Sequence, residues 1–417
     1  MNTLFAGVSL AVASLSSAHD WPAWRGPHGT GISPAEAVPL TWDGETNVLW
    51  KVPLPQPANG SPIVSNGRVF LTCPEDSEGK GRSLHCFDRK DGARLWVRTV
   101  AIDRVMPTHP TNPYGGSTPA ADGERVVVWH SSAGLYCYDF EGEELWKRDL
   151  GEFRHEWGYG TSPLLHEGLV ILHTGPGEQS FVAAFDLDTG ETVWKTEEPS
   201  HLDAEALARK RLAGSWSTPV IATVGERDLV LCGQPTRIVA YDAKDGSIVW
   251  WCGGVPSKRG DLVYSSPVLS DELCLVQGGY VGPTIGVRLD GEGDVTESHR
   301  AWLHPERMSN CGSGVFADGF FYVPDMGGYV SCIDPEDGET LWRERVGRGQ
   351  TWGSIVYAAG RLYLTNQKGA TIVFAPDPEE LKVLAVNELD EETNATPAIA
   401  GDQIFLRTHE HLYCIAE

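Results

Sequence analysis

Eight copies of one short pattern run along nearly the whole chain, and this repeat constrains the fold more than any other feature. Each copy opens with Ser or Thr, usually before Pro, continues through two apolar segments, and closes with a Gly turn and, in most copies, a Trp. The openings are Ser61-Pro62, Thr118-Pro119, Ser162-Pro163, Thr218-Pro219, Ser266-Pro267 and Thr396-Pro397, with Ser313-Gly314 and Ser354-Ile355 as diverged copies. A unit of about 40 to 56 residues holds four short strands and their turns, which is one propeller blade. We therefore expect an all-β fold, an eight-bladed β-propeller of four-stranded antiparallel blades.

The last repeat is incomplete, and the missing piece precedes the first one. The eighth copy opens at Thr396 and stops at Glu417 without an outer strand, whereas an extra Gly turn, strand and Trp run from Asp43 to Val52. An N-terminal strand that closes the last blade removes an open sheet edge, which would otherwise invite aggregation. We therefore expect residues 41–417 to form one closed ring rather than several domains.

The closing tryptophans are interpreted as structural. The Asp of the preceding turn can bond turn amides, the Gly tolerates a positive φ, and the Trp offers a large flat surface to the neighbouring blade. The fifth copy closes at Trp302 after a long insertion, and the seventh has Leu384 in place of Trp. The structural docking set is Trp50, Trp96, Trp146, Trp194, Trp250 and Trp342.

Two copies carry the most regular form of the motif, AFDLDTGETVW at 184–194 and AYDAKDGSIVW at 240–250. They resemble the tryptophan-docking motif of the PQQ (pyrroloquinoline quinone) propeller repeat, of the quinoprotein alcohol dehydrogenase-like class, and the likeness covers roughly residues 40 to 417. The chain is also similar to BamB-type propellers, which are non-catalytic, eight-bladed and periplasmic, and belong to the outer-membrane protein assembly machinery. It departs from them because no lipoprotein cysteine follows its N-terminal apolar stretch. The resemblance implies an interaction scaffold in the cell envelope.

Charge narrows the range of partners. The chain has 33 Lys and Arg against 57 Asp and Glu, a formal net charge of -24. Such a surface repels polyphosphate, so nucleic acid is excluded as the main partner. A protein, peptide or polysaccharide partner is expected instead, bound by a monomer.

The N-terminal residues have the composition of a targeting segment. Residues 1–18 contain an apolar stretch that ends in Ser16-Ser17-Ala18, the small residues that a signal peptidase reads. The stretch is too short to span a bilayer, so no transmembrane segment is expected. We predict a signal peptide and a periplasmic or secreted protein. Residues 19–40, which include WPAWRGPHGTGIS at 21–33, are expected to cover one face of the ring.

The nine cysteines follow the repeat. Cys86, Cys137, Cys332 and Cys414 occupy one equivalent position, and Cys73 and Cys232 share another. Residues that substitute for Ala or Val within a repeat are packing residues, because an unpaired Cys behaves as a small hydrophobe.

Loops that lead into the inner strands contain the candidates for a ligand site. Propellers commonly bind at this face around the central channel. Aromatic and cationic side chains concentrate in these loops, which suits a flat or carboxylated ligand through stacking and paired hydrogen bonds. The alternative is that the cations only bridge acidic surface neighbours. The candidates are Tyr114, Arg154, His155, Trp157, Tyr159, Trp216, Arg259, Tyr264, Arg307, Arg348 and Trp352.

Signatures of catalysis are weak. The quinoprotein resemblance implies an adjacent Cys pair, a calcium site and an Asp base, and the sequence contains no Cys-Cys. His409-Glu410-His411 is a possible metal pair without an evident third ligand, so no metal is expected. We therefore expect no cofactor and no catalytic residues. The alternatives are an oxidoreductase that uses PQQ with calcium, a lyase or hydrolase on the channel face, and a sensor that binds a small ligand at the channel mouth.

Overall fold

The computed structural model describes residues 19–177, 180–197, 212–256 and 260–417; the side chains of residues 212 and 305–308 are outside this description. The predicted signal peptide, residues 1–18, therefore lies outside the described residues. Within the described ranges the named regular elements are strands apart from a short 3-10 turn at Ser131–Ala133, and there is no α-helix. None of these residues forms a helix with the length and apolar character needed to cross a bilayer.

Strands that follow one another in the chain form each blade, from its inner to its outer edge. The first four groups are β1 Val48–Pro53; β2 Ile63–Ser65, β3 Arg68–Pro74, β4 Gly81–Asp88 and β5 Arg94–Ala101 of blade 1; β6 Ala120–Ala121, β7 Arg125–Trp129, β8 Leu135–Asp139 and β9 Glu144–Arg148 of blade 2; and β10 Leu164–His166, β11 Leu169–His173, β12 Phe181–Asp186 and β13 Thr192–Glu197 of blade 3. Next come β14 Leu212–Ser215; β15 Val220–Val224, β16 Arg227–Gln234, β17 Arg237–Asp242 and β18 Ile248–Gly253 of blade 4; β19 Gly260–Val263; and β20 Val268–Leu269, β21 Leu273–Gln277, β22 Gly282–Arg288, β23 Gly293–Asp294 and β24 Arg300–Met308. The last groups are β25 Val315–Ala317, β26 Phe320–Pro324, β27 Tyr329–Ile333 and β28 Thr340–Arg345 of blade 6; β29 Val356–Ala358, β30 Arg361–Thr365, β31 Ala370–Phe374 and β32 Val383–Glu388 of blade 7; and β33 Ala398–Ala400, β34 Gln403–Arg407 and β35 His411–Ile415 of blade 8.

The eight-bladed ring is confirmed, and so is its closure. Strand β1 pairs antiparallel with β35, with Trp50 opposite Cys414 and Val52 opposite Leu412. The N-terminal strand is therefore the outer strand of blade 8. Blade 5 consists of β20, β21, β22 and β24, whereas β23 adds a fifth, parallel strand to the outer edge of blade 4. Outside the blades, β14 and β19 form a two-stranded parallel sheet.

The hydroxyl groups that open the repeats form a closed circle of hydrogen bonds around the channel. Each backbone N–H donates to the side-chain hydroxyl of the next repeat, over 2.9 to 3.2 Å, in the order Ser61, Thr118, Ser162, Thr218, Ser266, Ser313, Ser354, Thr396 and again Ser61. The diverged openings Ser313 and Ser354 take part like the others. We call these eight residues the hydroxyl ring. A side chain with no oxygen at any of these positions would interrupt the circle.

The closing tryptophans join neighbouring blades. Their indole N–H groups donate to backbone carbonyls of the next blade over 2.8 to 3.0 Å, from Trp50 to Arg89, Trp96 to Phe140, Trp146 to Leu187, Trp194 to Ala243, Trp250 to Leu289, Trp302 to Pro335 and Trp342 to Asp377. At Trp50, Trp96, Trp146, Trp194 and Trp302, a glycine of the next blade's turn lies directly against the indole. Gly246, for example, has φ +71°, and a Cβ there would lie 2.3 Å from the Trp194 ring. Both the conformation and the space at this turn therefore require glycine.

Blade 7 has no closing Trp, and the expectation for Leu384 is wrong. In blade 6 the Trp stands opposite Cys332, and the equivalent residue of blade 7, Val373, stands opposite Ala385. Leu384 is 47% exposed. Trp42, from the segment before the ring, is buried in the same apolar cluster as Val373 and Ala385. Its backbone N–H donates to Asn387 Oδ1 over 2.9 Å, so Trp42 lies at the blade that lacks its own Trp.

The N-terminal segment closes one end of the channel. Its hydrogen bonds reach six blades, at or just before their inner strands, and join Trp21 to Val64, Pro22 to Ala121, Trp24 to Ser266, Arg25 to Gly314, Ser33 to Tyr357 and Ser33 to Ile399. Except for Ser266, each of these positions follows the ring hydroxyl of its repeat in the sequence, at or near the inner strand. Burial lowers the pKa of Arg25 to about 9, and carbonyl groups of Thr30 and Gly314 accept its hydrogen bonds. We call residues 19–33 the plug.

None of the nine cysteines forms a disulfide, and all but Cys311 are buried. Cys86, Cys137, Cys332 and Cys414 each stand opposite a closing Trp. The register thus places these four in one equivalent position, where they pack against the blade interface.

Candidate functional site

A cavity of about 390 Å³ lies on the side of the hydroxyl ring opposite the plug. Its floor consists of ring hydroxyls and of Trp24, whose indole N–H reaches Ser266 Oγ from the plug over 3.2 Å. Six ring members contribute, namely Thr118, Ser162, Thr218, Ser266, Ser313 and Ser354. Each hydroxyl oxygen already accepts a backbone N–H, so its own O–H can donate into the cavity.

One position of the repeat supplies most of the wall. The residue two places before each ring hydroxyl lines the cavity in all eight repeats: Asn59, Gly116, Gly160, Trp216, Tyr264, Cys311, Trp352 and Asn394. The loop into each inner strand therefore aims the same residue at the channel axis. Side-chain identity at this one position decides the chemistry of the site.

Aromatic rings form one side of the wall. The Trp157 and Trp216 rings have centroids 5.9 Å apart and an interplanar angle of 29°. Tyr264 lies 5.4 Å from Trp216, and Tyr280 lies 6.1 Å from Trp157. The Trp216 N–H donates to Gly158 O over 3.1 Å, which fixes the ring plane. We call Trp157, Trp216, Tyr264 and Tyr280 the aromatic wall.

Amide side chains form the other side. Asn394 Nδ2 donates to Asn59 Oδ1 over 3.1 Å, and Asn59 Nδ2 donates to Asn112 Oδ1 over 3.2 Å. Asn112 Nδ2 in turn donates to the Trp157 carbonyl over 2.7 Å. This chain of bonds orients the three amides and links them to the aromatic wall. We call Asn59, Asn112 and Asn394 the amide wall; His109 and Thr111 lie beside it.

Four of the eleven sequence-predicted site residues line the cavity: Trp157, Trp216, Tyr264 and Trp352. His155 lies behind them, with its ring 4.9 Å from Trp216 and nearly perpendicular to it. Burial lowers the pKa of His155, so the imidazole packs there in its neutral form at pH 7. The structure thus brings together the aromatic part of the predicted set.

Two predicted tyrosines pack around a buried arginine instead. Arg82 lies 5.4 Å from the ring centroids of both Tyr114 and Tyr159, and it donates to the carbonyl of His130. Tyr114 donates its hydroxyl to Met106 O over 2.5 Å. Burial, with the charge of Arg82, lowers the pKa of His130 to about 3. Neither tyrosine lines the cavity, so their contacts hold the loops in place.

The predicted cations do not line the cavity where the structure describes them. Arg154 is 58% exposed and pairs with Glu152, and Arg348 is exposed. Arg259 lies outside the described residues, as does the side chain of Arg307. Among the described residues that line the cavity there is no Lys, Arg, Asp or Glu. His109 is the one basic side chain in the part of the lining that the structure describes.

Sequence reasoning missed the amide wall, Tyr280, Cys311 and the role of the hydroxyl ring. In the sequence alone, the Ser and Thr openings serve only as a marker of the repeat. The signal for Asn59 and Asn394 was present, because both occupy the same place before the ring hydroxyl as Trp216 and Tyr264. Counting back from each opening would have found them.

Two carboxylate and histidine clusters occur within the described ranges, and neither lines the cavity. One is His166, Glu167 and Asp228; the other is Glu391, Glu410 and His411. In the second, His411 Nδ1 lies 2.9 Å from Glu391 Oε1, and the hydroxyls of Thr408 and Tyr413 donate to the same carboxylate. Hydrogen bonds within the blade therefore account for this cluster.

Solved structures with the same fold include an alcohol dehydrogenase and a BamB protein. Quinohemoprotein alcohol dehydrogenase from Comamonas testosteroni matches with a TM-score of 0.67 at 13% identity, over 96% of this chain and 81% of the other. BamB from Moraxella catarrhalis matches with a TM-score of 0.61 at 13% identity, over 89% of this chain and 97% of the other. At this identity the likeness shows the fold alone.

The described cavity residues do not fit the cofactor that the enzyme class implies. PQQ is a planar quinone with three carboxylates, and calcium is bound by six to eight oxygen ligands that usually include carboxylates. The described lining offers no Lys or Arg for the carboxylates and no Asp or Glu for the metal. Cys311 has no neighbouring cysteine in the sequence. We therefore derive no chemical step through this cofactor.

Sequence comparison points to one family. The chain is 24% identical over 361 residues to outer membrane protein assembly factor BamB of Burkholderia pseudomallei, over 84% of this chain and 82% of that protein. It is 22% identical over 293 residues to BamB of Bordetella pertussis, over 68% of this chain but only 64% of that protein's length. The family model described as outer membrane protein assembly factor BamB matches residues 39–106, 80–323 and 326–416. Because these matches span nearly the whole ring, the chain belongs to the BamB family of PQQ-type β-propellers.

Proposed function

We propose that this protein is an exported, non-catalytic scaffold that holds extended protein segments in the periplasm during outer-membrane protein assembly. The BamB relatives supply the biological setting, since their name assigns them to this assembly. The observation that carries the proposal is the uncovered outer edge of blade 7. An exposed strand edge can accept a further strand from another polypeptide.

Strand β32, at that edge, is apolar and exposed. Val383, Leu384 and Val386 are 47%, 47% and 52% exposed. No described strand pairs with the outer side of β32. The segment before the ring bonds this strand through the Asn387 side chain, which contacts the backbone of Leu40 and Trp42. The N–H and C=O groups of β32 on its outer side are therefore available for main-chain pairing.

The other outer strands either contain Lys or Arg or are already paired with a further strand. Lys or Arg occurs in the outer strands of blades 1, 2, 3, 5, 6 and 8, and such charges discourage pairing with another chain. Only β18 and β32 contain neither. Strand β18 is already covered, because Trp250 and Trp251 pair with Gly293 and Asp294 of β23. Blade 4 thus shows a charge-free outer edge of this ring bound by an added strand.

The charges around β32 indicate which kind of polypeptide segment would pair with this edge. Acidic residues flank β32 on both sides, with Glu379 and Glu380 before it and Glu388 and Asp390 at its end. Lys382, directly before the strand, is already paired with Asp377 and Glu380. A second copy of this chain would bring the same negative charges, so self-pairing is disfavoured. The favoured occupant is an extended segment with alternating apolar residues and basic ends. Alternating apolar residues are also the pattern of an outer-membrane β-strand.

A labelled peptide tests the proposal. The probe is a ten-residue peptide of alternating Val and Thr with Lys at both ends, and fluorescence anisotropy measures its binding. Val386→Lys places a charge on the β32 edge and is expected to weaken binding at least tenfold. The matched control is Val193→Lys, because Val193 is 49% exposed on the outer strand of blade 3, which already contains Lys195. Equal binding by both variants and the original protein would refute the proposal.

A further inference from the structure

We propose that the central cavity is a binding site for a neutral sugar, of the size of one or two pyranose rings. The site is separate from β32 and goes beyond the scaffold function. The inference rests on three observations: an aromatic wall, an opposite set of hydrogen-bonding groups, and the absence of Lys, Arg, Asp and Glu from the described lining. A cavity of 390 Å³ falls in the range of small-molecule sites, about 300 to 1,000 Å³.

The aromatic wall offers the apolar surface that a sugar ring requires. One face of a pyranose presents C–H groups, and these pack on the electron-rich face of Trp or Tyr. Trp157 and Trp216, inclined by only 29°, form a nearly continuous surface with Tyr264 beside them. The hydrogen bond from Trp216 to Gly158 holds this surface in place before any ligand binds.

The opposite side and the floor match the hydroxyl edge of a sugar. Sugar hydroxyls both donate and accept, so they need mixed partners. The amide wall supplies side-chain oxygens as acceptors, because the N–H groups of each amide already donate within the protein. The hydroxyl ring supplies O–H donors from six residues. Trp352 also lines the cavity, and its indole N–H has no hydrogen-bond partner among the described residues. Polar groups of this kind favour a ligand that satisfies them, since an unpaired buried donor is unfavourable.

Electrostatics favour a ligand without charge. The described lining contains no Lys or Arg to neutralise a carboxylate or phosphate. The net charge of -24 repels anions over a longer range. A cationic ligand would in turn need a carboxylate in the lining, and the described residues supply none. A neutral sugar ring with hydroxyl groups suits the aromatic wall, the amide wall and the hydroxyl ring at the floor of the cavity.

Calorimetry and tryptophan fluorescence with the full chain test the inference. The probes are cellobiose, lactose and chitobiose, with glucuronic acid and PQQ as charged comparisons. We expect saturable binding of at least one neutral disaccharide, with a change in tryptophan emission, and weaker binding of both charged probes. Trp216→Ala is expected to weaken that binding at least tenfold. Trp352→Phe, which keeps the ring and removes only the N–H, is expected to weaken it several-fold.

The control is Leu145→Ala, an exposed residue on the outer strand of blade 2 and away from the cavity, which should bind the sugar like the original protein. If Trp216→Ala does not fold, Asn394→Leu replaces one group of the amide wall and is expected to weaken binding to a similar degree. The inference is overturned if none of the neutral disaccharides binds, if glucuronic acid or PQQ binds more tightly, or if the cavity variants bind unchanged. The peptide assay at β32 is independent of all these outcomes, so the two proposals can fail separately.

Discussion

Replacing Trp250 with Ala should cost more stability than almost any other single change in the ring. Trp250 is fully buried between blades 4 and 5, and its N–H donates to Leu289 O over 3.0 Å. Removing a buried Trp side chain costs about 3 to 5 kcal/mol, because packing is lost and a cavity remains. The lost hydrogen bond, about 1 kcal/mol, is part of this sum. Trp250→Phe keeps much of the packing, so its loss should be about 1 to 2 kcal/mol.

Urea unfolding followed by far-ultraviolet circular dichroism measures these losses without relying on tryptophan emission. Leu384→Ala is the control, because a half-exposed side chain away from the blade interface contributes within about 0.5 kcal/mol. If Trp250→Ala loses less than about 1 kcal/mol, or no more than the control, then the indole groups do not hold the blades together and this account of the ring is refuted.

Three further changes test other parts of the ring. Gly246→Ala should lower the thermal midpoint more than Gly225→Ala, because a Cβ at Gly246 would meet the Trp194 ring, whereas nothing lies within 4 Å at Gly225, and both have a positive φ; equal shifts would contradict this. Trp42→Ala should lower the free energy of unfolding by about 2 to 4 kcal/mol in urea, because Trp42 is buried beside the blade that lacks a closing Trp. If the urea midpoint of Trp42→Ala is unchanged, Trp42 does not stabilise this blade. Because the pKa of His130 falls from 6.5 to about 3 on folding, the unfolded chain binds the extra proton and stability declines as the pH drops below 6.5. His130→Phe should make this decline shallower, by at most about 1.4 kcal/mol per pH unit, and an unchanged slope would refute the assignment.

The repeat made most of the fold predictable from sequence. Recurring Ser/Thr-Pro openings and closing tryptophans determine the blade number, and the truncated last copy with its complement before the first determines the closure. Two details of the fold do not follow from the spacing of the repeats. The turn of blade 7 is longer than in the regular copies, so spacing placed Leu384 where the strand register places Ala385. Strand β23 is hidden within the long insertion of blade 5 and pairs with blade 4 instead.

The candidate site was only partly predictable. Large rings such as Trp216 and Tyr264 were found because aromatic residues are rare in exposed loops and lie just before the inner strands. Arg154 and Arg348 lie in neighbouring loop segments, yet they face solvent, since a long charged side chain turns toward water unless a partner holds it. Residue type therefore identifies the loops that form the site. Whether a side chain faces the cavity depends on its position in the loop, and the residue two places before each ring hydroxyl does so in every repeat.

Ring closure also sets the order of events during synthesis. Strand β1 is synthesised before the strands of blades 1 to 7, and its partner β35 is synthesised after them. Because these two strands belong to one blade, a chain whose synthesis has not reached β35 can form early blades but cannot complete the circle. The hydroxyl bond from Thr396 to Ser61 forms at that same late step. The circle is thus complete only once β35 has been added, and any partner that recognises the complete ring distinguishes it from chains that have not yet closed.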